Sequence, residues 1–376
     1  MLELVLVPFI LVVFTIYLFI INQFHKGFKQ IKTFKIQKNS QYESISCIIP
    51  FRNEQENIAK LVKGLIHQTL PCNFFEIIFI DDYSTDNSYH ELQKLIEDIS
   101  NFRVIKNIQP GKKNAIKLGV ESALNPYIIT TDADCTHNKN WLTTISQFIH
   151  ENKPDLVIAP VTLQPIKNFF EQFQDIDFLS LITSGAGATG INKPIMCNGA
   201  NLIFSKQLYK NASAQIINNY ASGDDIFLLQ YAKSIHAKIQ FLKNREAIVY
   251  TEPVHTMKSF LFQRVRWASK SKGYSDKFTL IVAWIVFVTN TLSAFLPILL
   301  LLSKEVFFVG FLFFLLKSTI DYRILKSGAN FMQKPLRTIT FIMSQLIYPF
   351  YIVFTVFYAA FGNVKWKDRN IIINKN

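Results

Sequence analysis

The sequence predicts an α/β domain built on a mostly parallel sheet, with one membrane helix before it and about three after it. Three observations predict this. Strand-like and helix-like segments alternate between Ser44 and about Tyr274. An uncharged apolar run covers Leu4 to Ile21, and three more apolar runs lie beyond Lys277.

The alternation is regular at first. Residues 45–50 read as a strand, 54–68 as a helix, 75–81 as a strand, 86–99 as a helix and 102–106 as a strand. A helix over 112–123 and a strand over 127–132 follow, which is the order of a parallel sheet covered by helices. The pattern then loosens into a strand at 156–161, a helical stretch at 169–181, a strand at 201–204 and a helix at 224–232.

The first apolar run is long enough to cross a bilayer core. A cleaved leader would have a basic start and small residues at its end. Here only Glu3 precedes the run and bulky Asn22, Gln23, Phe24 and His25 follow it, so it reads as an uncleaved anchor. Lys26, Lys29, Lys32, Lys35 and Lys38 come next, and such a flank stays cytoplasmic. The C-terminal runs cover 278–302, 306–325 and 339–361, with Lys317 and Asp321 inside the second. Intramembrane charges are costly, so these two are expected to face other helices or the interface. Three crossings would leave Lys365, Lys367 and Arg369 outside, against the charge bias, so one run re-enters or the bias is broken.

The expected organisation is an anchor at 1–22, a basic linker at 23–44 and a catalytic domain at 45–275 with an interfacial helix near 256–274. Membrane segments at 278–361 and a basic tail at 362–376 complete it, giving a multi-pass protein of the cell membrane with its catalytic domain cytoplasmic. The net charge of +13 crowds beside the apolar runs, which selects for anionic lipid rather than nucleic acid. Cys47, Cys72, Cys135 and Cys197 form no CxxC pair, which excludes a cysteine zinc site and a disulfide scaffold.

Ligands of open parallel sheets bind beyond the carboxyl ends of the strands. The first expected strand ends in Pro50, Phe51, Arg52, Asn53 and Glu54, the second in Asp81 and Asp82, and the fourth in Asp132, Ala133 and Asp134. Any one such end could be a helix cap, as Asp86 is expected to be. Three on one rim predict a site. Asp132 and Asp134 can hold Mg²⁺ or Mn²⁺ through oxygen. No basic residue adjoins them in sequence to neutralise them.

Two glycine-rich decoys are excluded. Residues 185–190, GAGATG, match GxGxxG but follow a helical stretch and lack an acid about twenty residues on, so they read as a flexible small-residue loop. GKKNA at 111–115 lacks the upstream glycine of a Walker loop.

The segments SCIIPFRNEQENI, IIFIDDYSTDNS, GKKNAIKLGV, TTDADC, CNGAN, SGDD and QRVRW occur in that order from Ser46 to Trp267. Together they resemble the inverting glycosyltransferases of family two, whose catalytic fold is called GT-A, and with the flanking apolar runs their membrane-embedded branch. The resemblance implies a nucleotide-sugar donor, expected to be a UDP-sugar, and a divalent cation, Mg²⁺ or Mn²⁺. It implies donor contacts from Pro50, Arg52, Asn53, Glu54, Asp81, Asp82, Gly111, Lys112 and Asp132, and metal ligation by Asp134 helped by Asp132. Asp225 matches the general base, Asp224 stands where the family has Glu, and Gln263, Arg266 and Trp267 match the Q-x-x-R-W signature near acceptor and diphosphate. His255 is a further candidate metal ligand. The acceptor is expected to be a lipid, a lipid-linked molecule or a glycan. The competing expectations are a processive polysaccharide synthase and a non-catalytic nucleotide-sugar-binding membrane protein.

Overall fold

The computed structural model describes residues 2–37, 40–215, 224–361, 365–366 and 369–370. Lys38, Gly223 and most of the expected basic tail at 362–376 lie outside the described residues. Two compact units are present, one built on a sheet from Ile31–Pro165 and Met196–Glu252, the other helical from Met1–Gln30, Ile166–Ile195 and Pro253–Ile372.

In chain order, helix α1 spans Leu2–Gln30, strand β1 Ile45–Phe51, α2 Gln55–Ile66, β2 Phe75–Asp81, α3 Ser88–Leu95 and β3 Phe102–Lys106. Then come α4 (Lys112–Ser122), β4 (Tyr127–Thr130), β5 (Thr136–His137), α5 (Trp141–Asn152), β6 (Leu156–Ile158) and β7 (Val161–Leu163). Next are α6 (Phe169–Gly190), β8 (Leu202–Ser205), α7 (Lys206–Gln215), α8 (Asp224–Ser234), β9 (Ile239–Phe241) and β10 (Val249–Thr251). The remaining helices are α9 (Met257–Ser269), α10 (Lys277–Ala294), α11 (Leu296–Leu302), α12 (Lys304–Met332) and α13 (Thr338–Phe361).

The main sheet has the order β3-β2-β1-β4-β8-β6-β9. Strands β3, β2, β1 and β4 are parallel, while β8 runs antiparallel to both β4 and β6. Burial explains why β1 and β2 could be recognised: every residue of both strands is buried, as expected for a strand covered on two faces. The reversed direction of β8 was hidden, because a short run of buried residues looks the same either way. The expected strand at 156–161 is two strands. Pro160 offers no N–H to a ladder, and after it the chain leaves the main sheet for a smaller one of order β5-β10-β7. Helix α5 was absent from the sequence reading, although Trp141, Leu142, Ile145, Phe148 and Ile149 fall at helical spacing and could have marked it.

Among the described residues, three helices, all in the helical unit, are long and apolar enough to cross a membrane: Glu3–Gln30, Lys277–Ala294 and Thr338–Phe361. This corrects the expected three C-terminal spans to two of that character. The expected span at 278–302 breaks at Phe295 into α10 and α11, with Pro297 in the first turn of α11, where its missing N–H costs nothing. Helix α12 carries Lys317, Asp321 and Arg323 and is too charged to join the three. Lys317 and Asp321 do face other helices: Lys317 is buried, 2.8 Å from Asp321 and 3.1 Å from Gln345, and Tyr17 donates to Asp321 at 2.7 Å.

The GAGATG segment is not a loop. It forms the last turns of α6, where Gly187 lies against α1. A Cβ on Gly187 would fall 2.1 Å from the Phe24 carbonyl oxygen, and one on Gly27 would fall 2.2 Å from the Gly187 carbonyl oxygen. These are backbone atoms, so a methyl group must push the helices apart, the role small residues play between membrane helices. Gly187→Ala should therefore destabilise the protein by about 1–3 kcal/mol. Gly64→Ala, in α2 with no atom within 4 Å of the new Cβ, should instead stabilise it by about 0.4–1 kcal/mol. Melting curves in one detergent test the pair, and equal shifts would refute the close-packing account.

Candidate active site

The order β3-β2-β1-β4 places a switch point between β1 and β4, where an open parallel sheet leaves a crevice. Register aligns the strand ends there. Phe51 pairs with Asp81, Asp81 with Lys106, and Ile48 with Thr130, so two residues further Asp132 comes level with Pro50. The three predicted strand ends thus share one rim.

The loops beyond β1 and β2 are latched together. The Asn53 N–H donates to Ser84 Oγ at 3.0 Å, the Thr85 N–H to Asn53 Oδ1 at 2.8 Å, and the Glu54 N–H to Ser88 Oγ at 2.9 Å. Asp86 accepts from the Ser88 N–H at 3.1 Å and the Gln55 N–H at 3.3 Å, but the cap position of α3 is Asn87, one residue beyond the one expected. Asn53 and Tyr83 both adopt positive φ, 55° and 62°. The cost is small for Asn and larger for Tyr, and such conformations gather where a site dictates the backbone.

Asp81 and Asp82 are both buried but hold different partners. Asp81 accepts from the Ser84 N–H at 3.1 Å and so closes its own turn. Asp82 Oδ1 accepts from the Gly111 N–H at 2.6 Å and from Asn107 Nδ2 at 3.0 Å. Gly111 can take part because its φ of 120° is open to glycine alone among common residues. The sequence reading missed Asn107. Its only signal was its place just after the third strand.

Asp132 is not without a basic partner, as its sequence neighbours suggested. The Lys112 ammonium, from the first turn of α4, donates to Asp132 Oδ1. Sequence neighbours cannot reveal a partner twenty residues away that the packing of α4 on β1 and β2 brings back. Both side chains are about a third exposed, 39% and 34%, so the pair contributes only about 0–1 kcal/mol and can exchange partners at little cost. The Asp134 carboxyl is pushed up to about 6, first by loss of surrounding water, then by the carboxylates of Asp132 and Glu54, with Lys112 acting in the opposite sense. Crowded carboxylates of this kind are what a cation relieves.

The donor set is all oxygen, which suits Mg²⁺ or Mn²⁺. Among the described residues, no group of three or more His, Cys, Asp or Glu is arranged to hold a metal ion. Two carboxylates at one strand end nevertheless fit an ion of this class, since magnesium sites commonly take one or two carboxylates and leave the rest to phosphates and water. His255 is exposed in the helical unit, immediately before Thr256, the N-cap of α9. The nearby His137 serves the scaffold instead. Burial pushes it down to about 3, so it stays neutral, 2.9 Å from Thr131 Oγ1 and against the Trp141 ring.

Asp225 reaches the same end of the sheet through Gly199. Its Oδ2 accepts from the Gly199 N–H at 3.2 Å, its Oδ1 from the Ile226 N–H at 2.9 Å, and Thr130 Oγ1 donates to the Gly199 carbonyl at 2.8 Å. One residue, Gly199, therefore ties Asp225 to Thr130 of β4, two residues before Asp132. Asp224 opens α8 and lies close enough to Lys113 to act on its charge. Gln263, Arg266 and Trp267 lie on α9, in the helical unit.

Residues 46–211 match the family model described as Glycosyl transferase family 2. The chain is similar to the glycosyltransferase AglE of Haloferax volcanii, 29% identical over 114 residues, covering 30% of this chain and 38% of that one. It is also similar to a 4,4'-diaponeurosporenoate glycosyltransferase of Staphylococcus haemolyticus, 24% identical over 205 residues, covering 50% and 53%. The match to each of these relatives thus spans less than two thirds of its length. Among solved structures, the mannosyltransferase PcManGT of Pyrobaculum calidifontis, in complex with GDP-Man and Mn²⁺, superposes with a TM-score of 0.59 at 12% identity, covering 95% of this chain and 99% of that one. Over residues 46–211 the chain is thus similar to the family 2 glycosyltransferases, and its fold is GT-A.

Proposed function

We propose that this protein transfers a sugar from a nucleoside-diphosphate sugar, with inversion, to a lipid or lipid-linked acceptor at the cytoplasmic face of a membrane. The observation that carries the reading is the single rim of Asp82, Asp132 and Asp134, with Asp225 tied to it through Gly199. The lysine run that follows α1 supports the cytoplasmic side.

In this reading Arg52, Asn53, Glu54 and Asp82 bind the nucleoside, with Pro50 and Asp81 shaping their loops. Gly111 and Lys112 close over the base and phosphates. Asp132 and Asp134 hold a divalent cation, which neutralises charge on the departing diphosphate when bound. Lys112 leaves Asp132 and adds its own charge to the phosphates. The acceptor hydroxyl oxygen attacks the anomeric carbon from the face opposite the diphosphate. As the new C–O bond forms, the old one breaks, its electron pair leaves with the nucleoside diphosphate, and the hydroxyl proton passes to Asp225. Asp224 supports Asp225, while Gln263, Arg266 and Trp267 serve the acceptor and diphosphate side.

A lipid acceptor is favoured by the three apolar helices and by the similarity to a 4,4'-diaponeurosporenoate glycosyltransferase. The test uses purified protein in lipid nanodiscs with Mn²⁺ and UDP-glucose, UDP-N-acetylglucosamine or GDP-mannose. A polyprenyl phosphate and diacylglycerol are supplied as acceptors. One pair should yield free nucleoside diphosphate and labelled sugar in the organic phase. Absence of both, for every nucleotide-sugar offered, would refute the reading.

A further inference from the structure

Between Gln263 and Trp267 on α9 stands Arg264, a position the Q-x-x-R-W signature leaves open. Its surroundings are unusual for an arginine. Arg264 is 4% exposed and its Nε donates at 2.6 Å to Oδ2 of Asp177, a residue of α6 that is 3% exposed. The same guanidinium donates through Nη1 to Gln263 Oε1. Its central carbon lies 4.3 Å from the centre of the Trp267 ring and 4.7 Å from that of Phe260. The Trp267 ring in turn packs on Phe178, one residue beyond Asp177 on α6, with centroids 6.1 Å apart.

Docking α9 does not depend on this pair. Phe260 is already buried in an apolar cluster with Phe173 and Tyr351, and Val265 is buried with Ala359. A buried ion pair is a poor source of stability, because desolvation offsets most of the attraction. What a planar, hydrogen-bonded guanidinium adds is direction. Here it contacts both the Gln263 amide and the Trp267 ring, two of the three signature residues. We infer that Arg264, held in place by Asp177, is a positioning residue that sets the orientations of Gln263 and Trp267 and thereby the acceptor step of transfer. The functional half of this inference rests on the glycosyl-transfer reading above.

The test uses the full-length protein in nanodiscs with 5-fluorotryptophan in place of tryptophan, the Trp267 resonance being assigned by its loss in Trp267→Phe. Asp177→Asn removes the charge partner. Because that change leaves a lone buried charge, Arg264→Met combined with Asp177→Leu is made alongside it and removes both charges in apolar form. Asp175→Asn is the control, since it breaks another α6 ion pair, with Lys334, that touches no signature residue. The Trp267 resonance should move in the first two and stay in the control. Sugar transfer should fall at least about tenfold in them, while nucleotide release to water without acceptor and UDP or GDP binding stay within about twofold, as loss of an oriented group predicts. An unmoved Trp267 resonance overturns the inference, and so does an equal loss of transfer and of acceptor-free release. If the unsubstituted protein turns over no nucleotide-sugar, the glycosyl-transfer reading is what fails, and the fluorine resonance still decides the positioning.

Discussion

Asp225→Asn should lower turnover by about two to four orders of magnitude, because asparagine keeps the shape of the side chain but cannot take the acceptor's proton. Nucleotide binding should be unchanged. The structure sharpens what else to expect. Asp225 accepts one N–H from Gly199 and another from Ile226, using both oxygens. Asparagine has a single acceptor oxygen, so one of those bonds is lost and stability should fall by about 1 kcal/mol. Such a loss lowers the melting temperature by a few degrees and cannot account for a hundredfold loss of rate at a temperature where the variant is folded. Turnover and melting temperature measured on the same preparation separate the two effects. Near-normal turnover with Asn at this position would reduce Asp225 to a tether between α8 and Gly199 and shift attention to Asp224.

Chelation by EDTA should abolish turnover, and Mn²⁺ or Mg²⁺ should restore it. Asp134→Ala should weaken donor binding and lower turnover together, by at least about two orders of magnitude in turnover, since a cation held by Asp134 would supply charge both for binding the diphosphate and for its departure. Lys112 gives this experiment a useful contrast. Its ammonium already answers the charge of Asp132, and as a pair about a third exposed the two contribute little. Asp134 receives only a lesser opposing influence from Lys112, and its carboxyl is pushed up to about 6. The Asp134 variant should therefore lose metal response more completely than Asp132→Asn, as read by Mn²⁺ titration of nucleotide binding. Full activity in metal-free buffer would remove the cation from the mechanism and leave Lys112 as the cation that answers the diphosphate.

The amino-acid sequence alone determined the order of β1 to β4, their parallel direction, and the acidic residues at their ends. It could do so because a strand buried on both faces is an unbroken apolar run, and because its carboxyl end must turn polar where it meets the crevice. It also determined α1 and the apolar character of α10 and α13, since bilayer thickness imposes a minimum length that shows in any composition. The tertiary structure alone decided which partners those residues hold. Asp132 meets Lys112, Asp82 meets Asn107 and Gly111, and Asp225 meets Gly199, pairings that span twenty to twenty-nine residues. It also turned the GAGATG segment from an expected loop into a helix packed on α1, and it showed Arg264, at a position its signature leaves open, in contact with two of the signature's residues. Local pattern records burial and length, because each residue bears those constraints by itself. Pairing is set by the packing of distant segments, and a single sequence carries no local mark of it.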